Sequence, residues 1–544
     1  MSGRPKVHYA RLQNISFRSL VLEVIKMLNA RRRLVNIVDH VLDSMQDAEG
    51  SLTWSKELNG GLSPVEPAEN LTLLVKSGQL PRDLAGAYMR IGPNSPYWPP
   101  RKRTHAFDSD GMVHCVRIVD GKAVYHCKFM ETPRHRFEQE IGQEWFMRIG
   151  EMSGKVGLAK ILTVGSSKPK LAGLEDWETS TANTAVAFTP EGKLWACMES
   201  GPPFRFYLDD AGIPKSLGFD TLLDTHRKPI SAHPKFDQRT GETFFHGKEM
   251  MKGFYTGRAI DGKIIDCVDL KMPNGFHHDM CITENYVVII DGSMRFNMKG
   301  IPNGEAFWRF KRDAKLRFGV FPRASGAMTA EAFIWIEAPV AAEIVHTLHA
   351  YDENGKIILW TPMSFYEKGG VGQILGDVGV NTMHRLVIDV EQRAVDVQNV
   401  EGGDRYATEF PRIRDDRIGL RVRNGYSGVQ SPGPDFNFTG ILKWDFDECR
   451  LAGEIHFPDQ VVGGEPVFVP KGKDSLSGDA KDDDGYICMF LWNCQTEEST
   501  FVLFDAQSFS ATPVVELQVP RRVPLGFHAA WITEAQFQRQ LKIA

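Results

Sequence analysis

Short runs of apolar residues separated by turn sequences dominate the chain beyond about residue 70. The runs include KLWACME, YVVIID, KIILW, RLVIDV and YICMFLW, and the turn sequences include EGK, DGK, ENGK and DDDG. Apolar runs of this length, bounded by glycine and aspartate, predict β-strands joined by tight turns. Many such strands at fairly even spacing indicate a mainly β protein. The length of the chain favours a propeller of several four-stranded blades over a barrel or a sandwich.

The first part of the chain has a helical period instead. Apolar residues recur every three or four positions in two stripes: Phe17, Leu20, Val21, Val24, Ile25 and Leu28, then Leu34, Val35, Val38, Val41, Leu42 and Met45. Lys26 and the arginines at 31–33 lie between the stripes, so the pattern predicts two amphipathic helices around a basic joint. The stripes could pack on the main body or lie in a lipid interface. In the second case Phe17, Leu20, Val21 and Val24 are the membrane-facing candidates.

A stretch rich in glycine, proline and charge follows these helices and predicts a linker. We therefore expect residues 1–66 to hold the N-terminal helices and the linker, and residues 67–544 to form the main body. No run of 18 apolar residues occurs and the first residues do not have the pattern of a secretory signal, so we expect no membrane-spanning helix. The expected location is the cytoplasm, with membrane association or a plastid location left open.

Composition narrows the class of function. Apolar residues make up 42% and charged residues 24% of the chain, as in an ordinary soluble globular protein. The formal charge of -5 provides no basic excess for neutralising phosphates, which argues against nucleic-acid binding. The eight cysteines form no CxxC pair. A disulfide framework and a thiolate zinc site are therefore not expected, and a reducing compartment fits best.

Four of the 16 histidines lie in similar contexts, each beside an apolar strand and a turn. The segments are SAHPKFDQRTGE with His233, FHHDM with His278, VHTLHAYDENG with His346, and VPLGFHAAW with His528. They are too dispersed for a local metal-binding motif, but the innermost strands of a propeller line one axis and could bring them together. Imidazoles suit iron, zinc and copper. At this point a zinc hydrolase and a non-catalytic propeller that binds partners both stay open.

These four segments, in this order, resemble the iron-ligand motifs of the carotenoid cleavage oxygenase family. The resemblance covers roughly residues 70–540 and includes LPRDLAGAYMRIGPN followed by FDSDGMVH, and also TANTAVAF, RFGVFPR and DDDGYICMF. It implies a seven-bladed β-propeller with a helical cap over one face, so that residues 67–544 form one catalytic domain with cap insertions. The segments FMRIGEMSGKVGLAKIL, EPVFVP and VPLGFHAAWITEAQF are most similar to plant-type 9,10-cleaving carotenoid dioxygenases.

The resemblance also implies the residues of the site. It makes His233, His278, His346 and His528 the ligands of Fe(II), and it places Glu199, Glu409 and Glu465 behind them. Each glutamate lies in an apolar or proline-bounded segment, where an unpaired carboxylate would be costly. The family usually has methionine at the position of His277 and asparagine at that of His349. Because alternate residues of a strand face opposite ways, we expect His277 and His349 to point away from the metal.

The expected activity is that of a non-haem iron dioxygenase. The resemblance implies that both atoms of O2 add across one conjugated double bond of a carotenoid or apocarotenoid, giving two carbonyl products with no catalytic residue beyond the metal centre. A stilbene-cleaving dioxygenase is an alternative, although such relatives usually have a lysine soon after Thr132, where this chain has Pro133 and Arg134. Retinoid isomerohydrolase chemistry is another. An apolar polyene substrate favours contact of the N-terminal helices with a membrane.

Overall fold

The computed structural model describes residues 17–48, 60–222, 225–249, 253–323, 328–368, 375–431, 437–472 and 481–544, with side chains from Met27 to Gln46 in the first helix. Seven antiparallel sheets form the blades of a β-propeller, as the resemblance implies. Strands are numbered in chain order. Five blades use consecutive parts of the chain and are, with their strands in order from the axis outward: β6 (Ala185–Phe188), β7 (Leu194–Cys197), β8 (Phe204–Leu208) and β9 (Pro214–Phe219); β10 (Lys235–Asp237), β11 (Glu242–Glu249), β12 (Gly253–Ile260) and β13 (Lys263–Leu270); β14 (Met280–Ile282), β15 (Tyr286–Asp291), β18 (Arg317–Pro322) and β19 (Ile334–Glu337); β20 (His349–Glu353), β21 (Lys356–Met363), β23 (Thr382–Asp389) and β24 (Ala394–Asn399); β25 (Thr408–Arg412), β26 (Asn424–Gln430), β27 (Phe438–Asp445) and β28 (Arg450–His456).

The other two blades combine strands from both ends of the chain and close the ring. One consists of β34 (Ala529–Thr533), β3 (Gly86–Asn94), β4 (Asp110–Val119), β5 (Lys122–Phe129) and β1 (Ala68–Thr72). The other consists of β31 (Gly485–Asn493), β32 (Ser499–Asp505), β33 (Val515–Val519) and β2 (Leu74–Gly78), with β29 (Val461–Val462) and β30 (Val467–Pro470) along the inner edge of β31. The ring is therefore closed by backbone pairing of β34 with β3 and of β33 with β2. The domain division at residue 66 stays a prediction.

The turn sequences join the strands as the sequence predicts. Asp120–Gly121, Asp261–Gly262 and Asn354–Gly355 connect β4 to β5, β12 to β13 and β20 to β21. All six residues have positive φ, between 51° and 76°. Aspartate, asparagine and glycine tolerate this left-handed conformation best, and it matches the twist of a two-residue hairpin.

A helical cap covers one face of the propeller. Within a blade the strands alternate in direction, so the connection into the innermost strand and the connection between the second and third strands lie on the same face. Both kinds of connection carry insertions in this chain. The cap elements are α2 (Pro133–Ile141), α3 (Gly154–Lys160) with a π-helical continuation at Ile161–Gly165, α4 (Lys168–Ala172), and a small sheet of β16 (Met294–Phe296), β17 (Trp308–Phe310) and β22 (Leu375–Gly376). The C-terminal α5 (Glu534–Leu541) follows β34 at the opposite face.

The N-terminal region corrects one prediction from the sequence. A single helix, α1 (Phe17–Ala48), replaces the two predicted helices, and the basic joint at 31–33 lies within it. No glycine or proline interrupts residues 17–48, and arginine is a good helix former, so a cluster of arginines does not break a helix. Part of the predicted linker, residues 49–59, lies outside the described residues.

Among the described residues, no helix is both long enough and apolar enough to span a bilayer.

Candidate metal centre

The four histidines lie on the connections that lead into four innermost strands. His233 and His278 lie two residues before β10 and β14. His346 lies three residues before β20, and His528 directly precedes β34. Because the innermost strands run side by side around the axis, the residues just before them meet at one end of it. This end faces the cap, and the structure brings together there the four residues that the resemblance singles out.

The imidazole nitrogens of the four rings converge on one point. His278 Nε2 lies 3.0 Å from His233 Nε2 and 3.1 Å from His346 Nε2. The His528 ring centroid lies 4.4 Å from that of His233 and 4.8 Å from that of His346. One nitrogen of each ring lies within 4.8 Å of a nitrogen of every other ring. The four-histidine cluster is therefore compact enough to hold a single metal ion.

The three predicted glutamates contact three of these rings from behind. His346 Nδ1 lies 2.6 Å from Glu409 Oε2, and His528 Nδ1 lies 2.8 Å from Glu465 Oε1. His278 Nδ1 lies 2.7 Å from Glu199 Oε1. A carboxylate next to Nδ1 holds the proton on that nitrogen and leaves the Nε2 lone pair directed at the centre. Among the described residues, no glutamate contacts His233 in this way.

Further hydrogen bonds fix two of the carboxylates. Glu465 Oε2 accepts from the Ala529 backbone N–H at 2.7 Å and from Arg412 Nη1 at 3.1 Å. Glu409 accepts from the Phe410 backbone N–H and from Asn381 Nδ2, both at 2.8 Å. Burial by itself would raise the pKa of Glu465, but Arg412 and His528 outweigh it and hold that pKa below its usual value. Glu465 is therefore ionised.

The charges around the centre favour a cation there. Burial and then the three neighbouring imidazoles lower the pKa of His233 well below its usual value. Burial also lowers the pKa of His346, but Glu409 outweighs it and the net shift is upward. The glutamates thus stabilise positive charge at the centre. Because the rings are crowded together, protonating several of them at once is unfavourable.

The spacing of the nitrogens fits a transition-metal ion. Nitrogen ligands about 2.1 Å from a metal are about 3.0 Å apart when they meet at a right angle and about 3.4 Å apart at a tetrahedral angle. The separations of 3.0 and 3.1 Å are closer to the right angle. Without a cation, lone pairs facing each other at this distance would repel. Four neutral imidazoles with carboxylates behind them suit a metal such as iron, zinc or copper.

The two neighbouring histidines point away from the cluster. His277 Nε2 lies 3.0 Å from Asp291 Oδ1, and its side chain is buried. His349 Nε2 donates to the Leu420 carbonyl oxygen at 2.6 Å. These separate hydrogen bonds occupy both rings. The side chains of His278 and His346 point to the cluster, and those of His277 and His349 point away from it.

A polar tie between two of the connections was not predicted from the sequence. Asp279 Oδ2 accepts from the backbone N–H of Thr347 at 2.7 Å and from its hydroxyl at 2.8 Å, and Lys235 Nζ lies 2.7 Å from Asp279 Oδ1. Asp279 follows His278 and Thr347 follows His346, so this tie fixes two of the histidine-bearing segments relative to each other. The sequence does contain a signal for it, namely an aspartate placed directly before the apolar strand β14.

Lys235, Asp279 and Thr347 line an axial cavity of about 180 Å³ that reaches His233, His346 and His528 from the side opposite the cap.

Aromatic side chains border the cluster on the cap side. The Phe276 ring is stacked on His278 with centroids 5.5 Å apart, and the Phe410 ring lies 4.7 Å from that of His528. Phe410 has a φ of 51°, which is unusual for a large side chain. This conformation lets the Phe410 N–H bind Glu409 while the ring faces His346 and His528. These rings keep the surroundings of the cluster apolar.

The predicted membrane-facing side chains, Phe17, Leu20, Val21 and Val24, lie outside the described side chains. The described part of α1 does expose an apolar face, made of Leu34, Ile37, Val38, Val41 and Met45. These positions recur at helical spacing on the side of α1 that faces away from the propeller.

The fold and the site together define a class of protein: a β-propeller that can hold one metal ion on its axis with four histidines. Comparison with known families agrees. Residues 62–533 match the profile of the retinal pigment epithelial membrane protein family. The chain belongs to this family, that of the carotenoid cleavage oxygenases.

Individual relatives cover nearly the whole chain. The chain is 31% identical to carotenoid 9,10(9',10')-cleavage dioxygenase 1 of Arabidopsis thaliana over 95% of this chain and 96% of that protein. Among solved structures, lignostilbene dioxygenase of Pseudomonas brassicacearum is similar with a TM-score of 0.75 and 23% identity, over 89% of this chain and 99% of that one. A variant of Synechocystis apocarotenoid oxygenase gives a TM-score of 0.71 and 22% identity over 89% of this chain and 99% of the other. The two solved structures support the fold.

Proposed function

We propose that the protein is an Fe(II)-dependent dioxygenase that cleaves a conjugated C=C bond of a carotenoid or apocarotenoid into two carbonyl products. The observation that carries the proposal is the convergence of His233, His278, His346 and His528 at the propeller axis, with three glutamates behind them. The curated relative from Arabidopsis supports a carotenoid substrate. Iron, when bound by these histidines, would supply the activation of O2.

The residues of the chain perform three tasks in this proposal. The glutamates hold protons on Nδ1 of His278, His346 and His528, so that each ring offers Nε2 as a neutral ligand. Phe276 and Phe410 place an apolar surface beside the cluster, where a polyene can lie and water is disfavoured. The Asp279–Thr347 contact holds two histidine-bearing segments at a fixed separation. No side chain is required as a nucleophile or a general acid.

The position of Arg134 argues against the stilbene alternative. Arg134 stands close to where stilbene-cleaving relatives usually have a lysine for the phenol oxygen. Its side chain is buried, and its guanidinium donates to the Asp108 carbonyl oxygen at 3.0 Å and lies 3.5 Å from Asp110 Oδ1. A buried guanidinium placed against these two oxygens offers a phenol less than a free lysine ammonium would. A carotenoid or apocarotenoid therefore fits better than a hydroxylated stilbene.

The test combines metal analysis with a substrate screen. The protein is purified without oxygen, its iron is quantified, and β-carotene, apocarotenals, zeaxanthin and resveratrol are each incubated with it under ¹⁸O2. We expect about one iron per chain and two carbonyl products from a carotenoid or apocarotenoid, each carrying label before exchange with water. Zinc or no metal at the site, or an isomerised and unlabelled product, would contradict the proposal. An isomerised and unlabelled product would support the isomerohydrolase alternative.

We also propose that α1 binds a membrane surface. The exposed apolar face of α1 supports this, because an apolar stripe on a helix fixed to the protein body can lie in the lipid interface from which a polyene is taken. Replacing Phe17, Leu20 and Val24 with serine, or Leu34, Ile37 and Val41 with serine, should reduce binding to liposomes and leave cleavage of detergent-solubilised substrate unchanged. Liposome binding that equals that of the unaltered protein in both variants would refute this proposal.

A further inference from the structure

A row of aromatic rings leads away from the histidine cluster. The Phe276 ring is stacked on His278, and the Trp308 ring meets Phe276 edge to face with centroids 5.5 Å apart. The Phe296 ring also meets Trp308, with centroids 5.3 Å apart. All three side chains are large and apolar, yet each is only partly buried. Their exposed parts form an apolar wall that begins beside the cluster.

Lys248 lies beside this wall, next to Trp308. On strand β11, His246 and Lys248 are two residues apart and share a face. His246 Nε2 lies 3.3 Å from the His277 carbonyl oxygen, so this face of β11 is directed toward the segment that carries His278. Lys248 Nζ donates to Asn274 Oδ1 and, at 3.2 Å, to the Gly275 carbonyl oxygen. The same nitrogen lies 5.5 Å from the centroid of the Trp308 ring.

The Lys248 ammonium is held without a carboxylate partner among the described residues. The acid that acts on it electrostatically, Asp291, is engaged by Arg317 at 2.6 Å and Arg295 at 3.2 Å. The two acceptors of Lys248, on Asn274 and Gly275, are neutral oxygens, and an ammonium has three N–H groups. Burial and then Arg295 lower the pKa of Lys248 to about 8. A ligand oxygen at the third N–H, above all a charged one, would stabilise the ammonium.

We propose that Lys248 binds the oxygen-bearing end of the substrate, a carboxylate or a carbonyl group, while the adjoining polyene lies along Trp308 and Phe276 toward the metal centre. The inference rests on the proposed dioxygenase function and narrows its substrate class to polyenes that are already oxidised at one end. An apolar wall with one cation beside it matches such a chain, because the wall binds the hydrocarbon and the cation selects the end group. A hydrocarbon carotene has no group for Lys248.

The test measures binding with catalysis prevented. The iron-loaded protein, kept free of oxygen, is titrated with an apocarotenoic acid and with the hydrocarbon of the same polyene length, and quenching of tryptophan fluorescence is followed. For Lys248→Met we expect the dissociation constant of the acid to rise by about 10-fold or more, the usual range for losing a hydrogen bond to a charged group, and that of the hydrocarbon to change less than about twofold. Lys228→Met is the matched control, because Lys228 also lies over an aromatic ring, that of Tyr255 at 5.1 Å, but pairs with Glu249.

A second variant separates binding from structure. Lys248→Gln keeps an N–H donor without the charge, so it should bind the acid with an affinity between those of the unaltered protein and Lys248→Met. Equal weakening of both ligands in either variant would mean that Lys248 only supports the fold, and an unchanged affinity for the acid would mean that it does not contact the ligand. Either result overturns the inference. If oxygen is then admitted and neither ligand is cleaved, the proposed function fails while the difference in binding still stands.

Discussion

We predict that replacing Asp39 with asparagine releases α1 from the cap without unfolding the propeller. Asp39 belongs to an ionic network between α1 and the cap that comprises Asp39, Asp43, Lys102, Glu151, Lys160 and Lys168. The Asp39 carboxylate lies 2.8 Å from Lys102 Nζ, contacts Lys168 Nζ and lies 3.5 Å from Lys160 Nζ. Its side chain is only 8% exposed. The three carboxylates lie close enough together to hold a metal ion, but the three lysine ammonium groups already balance their charge.

The size of the effect follows from this burial. Removing one partner from a buried ion pair costs roughly 3–5 kcal/mol, because the other partner stays buried without compensation. Three lysines would then face two carboxylates. Taking about 3 kcal/mol, the population with α1 detached should rise roughly 10²-fold. The outward face of α1 is exposed and adds little to its attachment, so we expect the loss to be confined to α1.

Hydrogen exchange measures this directly. In Asp39→Asn, amide protection in α1 should fall by roughly 10²-fold while protection in β31 stays unchanged. Arg33→Gln, which removes a charge from the exposed side of the same helix, is the control and should alter neither. Unchanged protection in α1, or an equal loss in α1 and β31, would refute the reasoning. Acid should act in the same way: burial raises the pKa of Asp39, but Lys102 and Lys168 outweigh it and lower the pKa to about 2. The stabilisation is therefore complete above about pH 4 and is lost as pH falls toward 2.

Two further predictions concern the metal centre. Glu465→Gln should weaken iron binding by about 10- to 100-fold in a chelator competition. The effect should exceed that of Glu199→Gln, because the Glu465 side chain is 2% exposed and accepts three hydrogen bonds whereas the Glu199 side chain is 35% exposed. Equal effects would contradict this order. His278→Ala and His346→Ala should each abolish stoichiometric iron in the purified protein, while His277→Ala and His349→Ala should keep it. If His277→Ala and His349→Ala lose iron and the other two variants keep it, His277 and His349 would be the ligands instead.

The sequence predicted what depends on local pattern. Strand runs and Asx–Gly turns act over a few residues, so they could be read directly, and the family resemblance supplied the blade number and the histidine order. The helix prediction failed for a local reason as well. The arginines at 31–33 interrupt the apolar stripe and so suggest a joint, but backbone continuity depends on helix propensity, which arginine satisfies.

The long-range ion pairs could not be predicted in this way. Lys160 and Lys168 are almost fully buried, although lysine is normally a surface residue. Their partner Asp39 is separated from Lys168 by 129 residues, and nothing near either residue indicates the other. Lys248 could not be predicted either, because the residues it contacts, Asn274, Gly275 and Trp308, come from other parts of the chain.

The way the ring closes would also couple metal binding at the four-histidine cluster to the stability of the whole propeller. His528 directly precedes β34, and β34 is held in its blade by pairing with β3, from the other end of the chain. The other three histidines of the cluster precede β10, β14 and β20, the innermost strands of blades that lie earlier in the sequence. A metal ion bound to all four histidines therefore joins the last strand to the interior of the ring independently of the β34–β3 hydrogen bonds. Because a ligand that binds only the closed form stabilises that form, and closure in turn preorganises the fourth ligand, metal binding and ring closure must favour each other to the same extent.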